Sequence, residues 1–261
     1  MVAKEQKKDK DIQQNQQQAG SLNIIYYTDP LCCWSWAFEP QWRKLLFEYN
    51  GLINYRYCMG GLFPGWKNYH DAVNNVSRPI QMGPVWMHAR EVSGMPMQQN
   101  IWMQDPPSSS YPSCIAVKCA GLQSDGAAEI YLRLLREAVM IKGENIAQQE
   151  VLLKAAEKLP GYVPGFSIQQ FSDDLKNERG IEPFRKDLQE VQYHNINRFP
   201  SLVIKSGSNK AIIISGHRPY NILLNAIQHV SDLPTPNKKI DPEEYKAFWP
   251  FATERELKEI L

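Results

Sequence analysis

Asp29-Pro30-Leu31-Cys32-Cys33-Trp34-Ser35-Trp36, "DPLCCWSW", is the stretch that decides the fold. It follows Leu22 to Thr28, "LNIIYYT", a run of β-formers bounded by Gly20 and stopped at Pro30, which predicts a buried strand. From Cys33 onward Trp36, Phe38, Trp42, Leu45, Leu46 and Tyr49 fall at helical spacing as far as Asn50-Gly51, with Pro40 placed to kink the helix. Cys32 therefore stands where a strand passes into a helix. The unpaired amides of a first helical turn, together with the helix dipole, favour negative charge there, so its thiol is expected to ionise below the ordinary value.

Working outward, "INYRYCM" (Ile53 to Met59) alternates as a second strand before Gly60-Gly61. Residues from about 66 to 190 contain no convincing strand. Helical spacing there covers Val85 to Val92, Pro112 to Leu122, Ala127 to Ile141, Ile146 to Leu159, Ile168 to Asn177 and Ile181 to Val191, with Ser110 and Asn145 as expected caps. "FPSLVI" (Phe199 to Ile204) and "AIIISG" (Ala211 to Gly216) flank a polar turn and predict a hairpin; Pro219 to Val230 predicts a closing helix. Ser231 to Lys239 is linker-like. Beyond it, Thr253 and Glu256 form a capping-box pattern ahead of a short terminal helix.

The expected class is α/β: a mixed sheet with a large α-helical insertion between the second and third strands. The expected organisation is a disordered tail over 1–20, a core over 21–65 and 192–230, the insertion over 66–191, and a linker with a helical appendage over 231–261. The chain of 261 residues has a formal net charge of +1, which gives no field to recruit nucleic acid or an anionic membrane. Its first twenty residues carry four lysines and six glutamines but no apolar run, and no stretch elsewhere is long and apolar enough to span a bilayer. Cys32, Cys33, Cys58, Cys114 and Cys119 are an odd set without the dense spacing of a secreted disulfide scaffold, and the five histidines do not pair with them at metal-finger spacing. The expectation is a cytoplasmic protein with no bound metal or cofactor.

These residues resemble the thioredoxin superfamily, and within it the DsbA-like branch that includes the FrnE-type predicted disulfide isomerases. Such proteins carry D-P-x-C-x-x-C-W after the first strand, a helical insertion, and a [FV]-P-[ST] loop at the third strand. The corresponding residues are Asp29-Pro30-Leu31-Cys32, Ser35-Trp36 and Phe199-Pro200-Ser201, and the likeness runs from about residue 22 to 230. The resemblance implies that Cys32 is a nucleophile and Pro200 a cis-proline facing it. It also implies that Trp34, Trp36, Phe199 and Ser201 contact a protein or glutathione disulfide, with glutathione as a co-substrate.

Ser35 departs from that pattern, standing where a second, resolving thiol belongs. A hydroxyl cannot attack a mixed disulfide, so efficient dithiol chemistry is not expected; Ser35 is left to hydrogen-bond the Cys32 thiolate. Cys33 is a poor substitute, because a bridge between adjacent residues forces Cα atoms far inside the usual separation of about 5.5 to 6 Å. Cys33, Cys58, Cys114 and Cys119 are expected as core thiols.

Several assignments stay open. Trp34 and Trp36 either rim a site or fill the core. "DPPSSSYPSC" (Asp105 to Cys114) either lines a cleft or leads into a helix, and His217, Arg218 and Tyr220 either meet an anion or are solvated. Function divides too. One reading is a one-thiol oxidoreductase or isomerase. A second follows from "DPLCCWSWAFEP", which also resembles thioredoxin-like adapters that deliver proteins to the ClpXP protease, with Asp241 to Leu261 as the partner-binding element. A third, glutathione transfer as in kappa-class transferases, is disfavoured by the retention of Cys32.

Overall fold

The computed structural model describes residues 22–67, 69–207 and 210–261; the tail expected over 1–20 lies outside them. Strand β1 (Leu22–Thr28) leads into helix α1 (Cys33–Ala37), α2 (Glu39–Glu48) and β2 (Ile53–Met59). The predicted single kinked helix is two helices. α1 ends after five residues at Phe38, and the chain restarts at Glu39 with Pro40 in the first turn, where a missing N–H is harmless.

The block between β2 and β3 is helical, with α3 (Met82–Ser93), α4 (Ile101–Gln104), α5 (Tyr111–Gly121), α6 (Asp125–Arg136), α7 (Gln149–Ala156), α8 (Ile168–Lys176) and α9 (Ile181–Tyr193). The single turn of α4 is too short to show a period in sequence, and went unpredicted. α6 ends in a π-helical turn, Glu137–Ile141, inside what the sequence presents as one helix. Helix α5 contacts α6, α7, α8 and α9. Being surrounded, it buries Cys114, Ala116, Val117, Cys119 and Ala120 although these do not share a face. Ser110 does not cap it: its hydroxyl bonds to both the amide and the carbonyl of Phe63, while the Ser109 hydroxyl accepts from the Tyr111 amide. Asn145 likewise holds a turn, accepting from the Ala147 amide, and α7 begins later.

The chain closes with β3 (Ser201–Lys205), β4 (Ala211–Ser215), α10 (Tyr220–Val230), α11 (Pro242–Phe248) and α12 (Glu254–Ile260). The mixed sheet has the order β2-β1-β3-β4, with β3 and β4 antiparallel, Ser201 opposite Ser215 and Lys205 opposite Ala211.

By packing, the chain divides into two compact units. Among the described residues, the first contains 22–26, Pro40–Arg56 and Ser201–Leu261; the second contains Tyr27–Glu39 and Tyr57–Pro200. In the first unit the C-terminal helices close over α2. Arg43, buried, lies with its guanidinium carbon 4.3 Å from the Trp249 ring centre and 6.0 Å from that of Phe251, and the Trp249 indole donates to the Arg43 carbonyl. Phe47 meets Tyr245 and Phe248 edge-on, and the Lys44 ammonium donates to the Glu259 carbonyl at 3.0 Å. The capping box of Thr253 and Glu256 forms as the sequence predicts. In the second unit, residues from Leu31 to Phe184 form a continuous apolar core that includes Cys33, Trp36, Trp86, Trp102 and the small residues of α5.

Candidate active site around Cys32

The turn that presents Cys32 is set by Asp29 and Pro30. Pro30 supplies the fixed φ of a turn's second residue, and the Cys32 amide closes the turn onto the Asp29 carbonyl at 3.2 Å. The Asp29 carboxylate, fully buried, accepts from the Leu31 amide at 2.8 Å, the Leu62 amide at 2.6 Å and the Cys114 thiol at 3.2 Å. Burial pushes its pKa up against the pull of those donors. Sequence reading quoted Asp29 only as part of a motif; the signal for its role was an acid immediately before the proline.

Cys32 is the N-cap of α1 and is 4% exposed. Its thiol donates to the Phe199 carbonyl at 3.7 Å, and the Phe199–Pro200 peptide bond is cis. The Phe199 ring fills the space beside Gly60, where an added Cβ would come within 2.0 Å of it. Backbone from a distant loop is therefore placed against the sulfur, as the resemblance implies.

The ionisation of Cys32 runs opposite to the sequence expectation. Burial raises its pKa; the Ser35 hydroxyl and amide and the Arg136 charge lower it, while Asp29 raises it further. Removing the sulfur from water outweighs the amides of a five-residue helix. Ser35 does act on the sulfur in the expected direction.

Of the other expected contacts, Trp34 is half-buried and meets the exposed His88 of α3 edge-on at 5.5 Å. Trp36 is not a rim residue. It is fully buried, its indole donates to the Pro96 carbonyl, and its face lies 4.7 Å from the Arg133 guanidinium carbon. Phe199 is half-buried, whereas Ser201 is buried with its hydroxyl bonded to that of Ser215, so its side chain serves the hairpin. The segment Asp105 to Cys114 is scaffolding: Asp105 holds Asn145 and Gln148, and Ser109 and Ser110 hold Phe63. Tyr220 bonds to Glu48 and Arg218 to the Ser215 carbonyl, so both are engaged within the fold. Cys33, Cys58, Cys114 and Cys119 are free thiols and buried, the core role expected of them.

Two features were not anticipated. Tyr69, half-buried, lies close enough for Cys32 to add to the burial and the Asp71 charge that push its phenol up to about 12. Behind α1, Arg133 and Arg136 of α6 enclose the buried Glu39: Arg133 donates to Glu39 Oε2 at 3.1 Å and to Glu137 at 2.9 Å, and Arg136 donates to Glu39 Oε1 and to the Thr28 hydroxyl. Arginines on a helix read as a solvated face in sequence, and only a fold can enclose them. Among the described residues no cluster of histidine, cysteine and carboxylate side chains is placed to hold a metal.

Residues 26–225 match the sequence profile of a family described as Thioredoxin. The chain belongs to the thioredoxin family. Among curated relatives, the ClpXP adapter protein SpxH of Halalkalibacterium halodurans is 28% identical over 217 residues, an alignment covering 82% of this chain and 69% of that protein. The Bacillus subtilis protein of the same name is 24% identical over 241 residues, covering 90% and 77%. Among solved structures, a Nitrosomonas europaea protein described as a candidate protein disulfide isomerase superposes with a TM-score of 0.67 at 21% identity, covering 80% of this chain and 97% of that one. The cytosolic disulfide reductase DsbM of Pseudomonas aeruginosa superposes with a TM-score of 0.57 at 18% identity, covering 87% and 97%, and it has also been solved with GSH. At these identities the likeness concerns the fold, which is that of the DsbA branch of thioredoxin-like proteins. No helix among the described residues is long and apolar enough to cross a membrane.

Proposed function

We propose that this thioredoxin-family protein exchanges disulfides through Cys32 alone, acting on protein or glutathione disulfides in the cytoplasm with glutathione as co-substrate. The observation that carries the reading is the Cys32 thiol held 3.7 Å from the Phe199 carbonyl, beside the cis-proline Pro200. Pro200 has no N–H to donate, and a cis-proline loop beside the sulfur suits an extended substrate that pairs in the manner of an added strand.

In the step itself, the Cys32 thiolate attacks one sulfur of the substrate, the substrate S–S bond breaks, and the departing thiolate takes up a proton. A glutathione thiolate then attacks the substrate sulfur of the mixed disulfide and releases Cys32. One disulfide is exchanged for another, and no external oxidant is consumed. Ser35 supports the thiolate with its hydroxyl and cannot resolve the mixed disulfide, so glutathione must. Cys32→Ser should abolish glutathione-dependent disulfide exchange with a peptide disulfide; retention of wild-type activity in that variant would refute the reading.

A second reading is favoured by the curated relatives, which are named ClpXP adapters at 22 to 28% identity. In it the chain holds a partner without turnover. Purified ClpXP should then bind this chain, and Cys32→Ser should leave that binding intact while exchange activity is absent from both proteins.

A further inference from the structure

The segment that carries Cys32 begins at Thr28, the last residue of β1, and ends at Glu39, the first residue of α2. One side chain reaches both ends. Arg136 donates from one guanidinium nitrogen to the Thr28 hydroxyl and from the other to Glu39 Oε1, and all three residues are fully buried. A planar fork with fixed donor directions suits two acceptors at set positions; an ammonium on a flexible stem does not. Arg133, one helical turn earlier, takes the other Glu39 oxygen and lies over Trp36, so the Glu39 carboxylate is gripped from both sides. Glu137 accepts from Arg133 Nε at 2.9 Å at the start of the π-helical turn.

Two guanidinium charges are thus set against the buried Glu39 carboxylate and the partly exposed Glu137 carboxylate, and Arg136 acts electrostatically on Cys32. The other titratable groups facing the sulfur are Asp29 from its own turn, its neighbour Cys33, and Tyr69 from the loop before α3. Asp29 opposes the thiolate. Arg136 is the charge that favours it.

We propose that Arg136 is a positioning residue for Cys32: it clamps Thr28 and Glu39, the two ends of the sulfur-bearing segment, and so fixes the turn in which the thiolate forms. The inference rests on the reading of Cys32 as a nucleophile and deepens it. It also gives a reason for Glu39, whose place in "AFEP" sequence patterning alone leaves unexplained.

The test is the pH profile of Cys32 alkylation by iodoacetamide, read for each cysteine by mass spectrometry on the full chain and paired with a thermal melt. Arg136→Met should move the Cys32 profile upward by about one pH unit, an approximately tenfold loss of rate at neutral pH. Arg136→Lys restores charge without the fork and should lie between the two. Thr28→Val removes one acceptor at nearly constant volume and should move the profile in the same direction by less. A folded Arg136→Met protein with the wild-type profile overturns the proposal. If that variant does not fold, wild-type profiles in both Arg136→Lys and Thr28→Val overturn it. A wild-type Cys32 that is inert at every pH the fold survives would remove the functional reading, and this inference with it. A reactive wild type with indifferent variants removes only the clamp.

Discussion

At Cys32 two influences compete, and their ranking sets the reactivity. Position at the start of a helix favours the thiolate, but the sulfur is only 4% exposed, and desolvation of a charge dominates. The Ser35 hydroxyl is the largest compensating influence. Ser35→Ala should therefore raise the Cys32 pKa further and slow its alkylation at neutral pH by about fivefold, the effect of losing roughly 1 kcal/mol of hydrogen bonding to the thiolate. Rates measured on intact protein at several pH values check this, and a faster reaction in Ser35→Ala would contradict the assignment. The serine was legible in the sequence as a missing second thiol. Its interaction with the sulfur could be stated as an expectation because the two are three positions apart, at the cap and in the first turn of one short helix. Burial of the sulfur had no sequence signal, since adjacent tryptophans accompany exposed and enclosed sites alike.

At the scale of elements, the C-terminal pair α11 and α12 packs against α2 of its own unit. Tyr245, Trp249 and Ile260 are buried, and the Trp249 indole lies flat against Arg43 of α2. Part of the apolar side of this segment is thus occupied within its own unit, while Phe248 and Leu261 remain exposed. Trp249→Ala removes a large enclosed ring and leaves a buried arginine without its stacking surface. A loss of about 3 to 5 kcal/mol in stability is expected from denaturant unfolding. Truncation after Val230 should therefore destabilise the unit, so a binding test on the truncated chain is read beside its thermal melt. The last of these helices was readable from the Thr253 capping box, a local pattern whose meaning does not depend on the fold.

At the scale of the whole molecule, buried thiols make stability depend on alkaline pH. Burial pushes Cys33 and Cys114 well above the ordinary thiol value of 9.0, and Cys119 to about 11. In the unfolded chain these thiols ionise near the ordinary value, while the folded chain keeps their protons. The unfolded state then binds fewer protons, so stability is intact below about pH 9 and is lost as pH rises toward about 11. The melting temperature should fall through that interval, and Cys119→Ala should make the fall shallower. A flat profile would mean that these sulfurs are hydrated in the native state.

The order of the four strands and of the longer helices, the turn at Asp29-Pro30, the cysteine at the strand end and the absence of a second thiol at Ser35 were all determined by the sequence. Each is a local matter of periodicity, backbone restriction or residue identity. The tertiary structure alone decided that Trp36 lies in the core and that Ser201 serves the hairpin. It also brought Arg133 and Arg136 to a buried Glu39 nearly a hundred residues away, and set burial above helix position at Cys32. Desolvation and charge pairing depend on which distant groups the chain brings together, and no window of neighbouring residues contains that information.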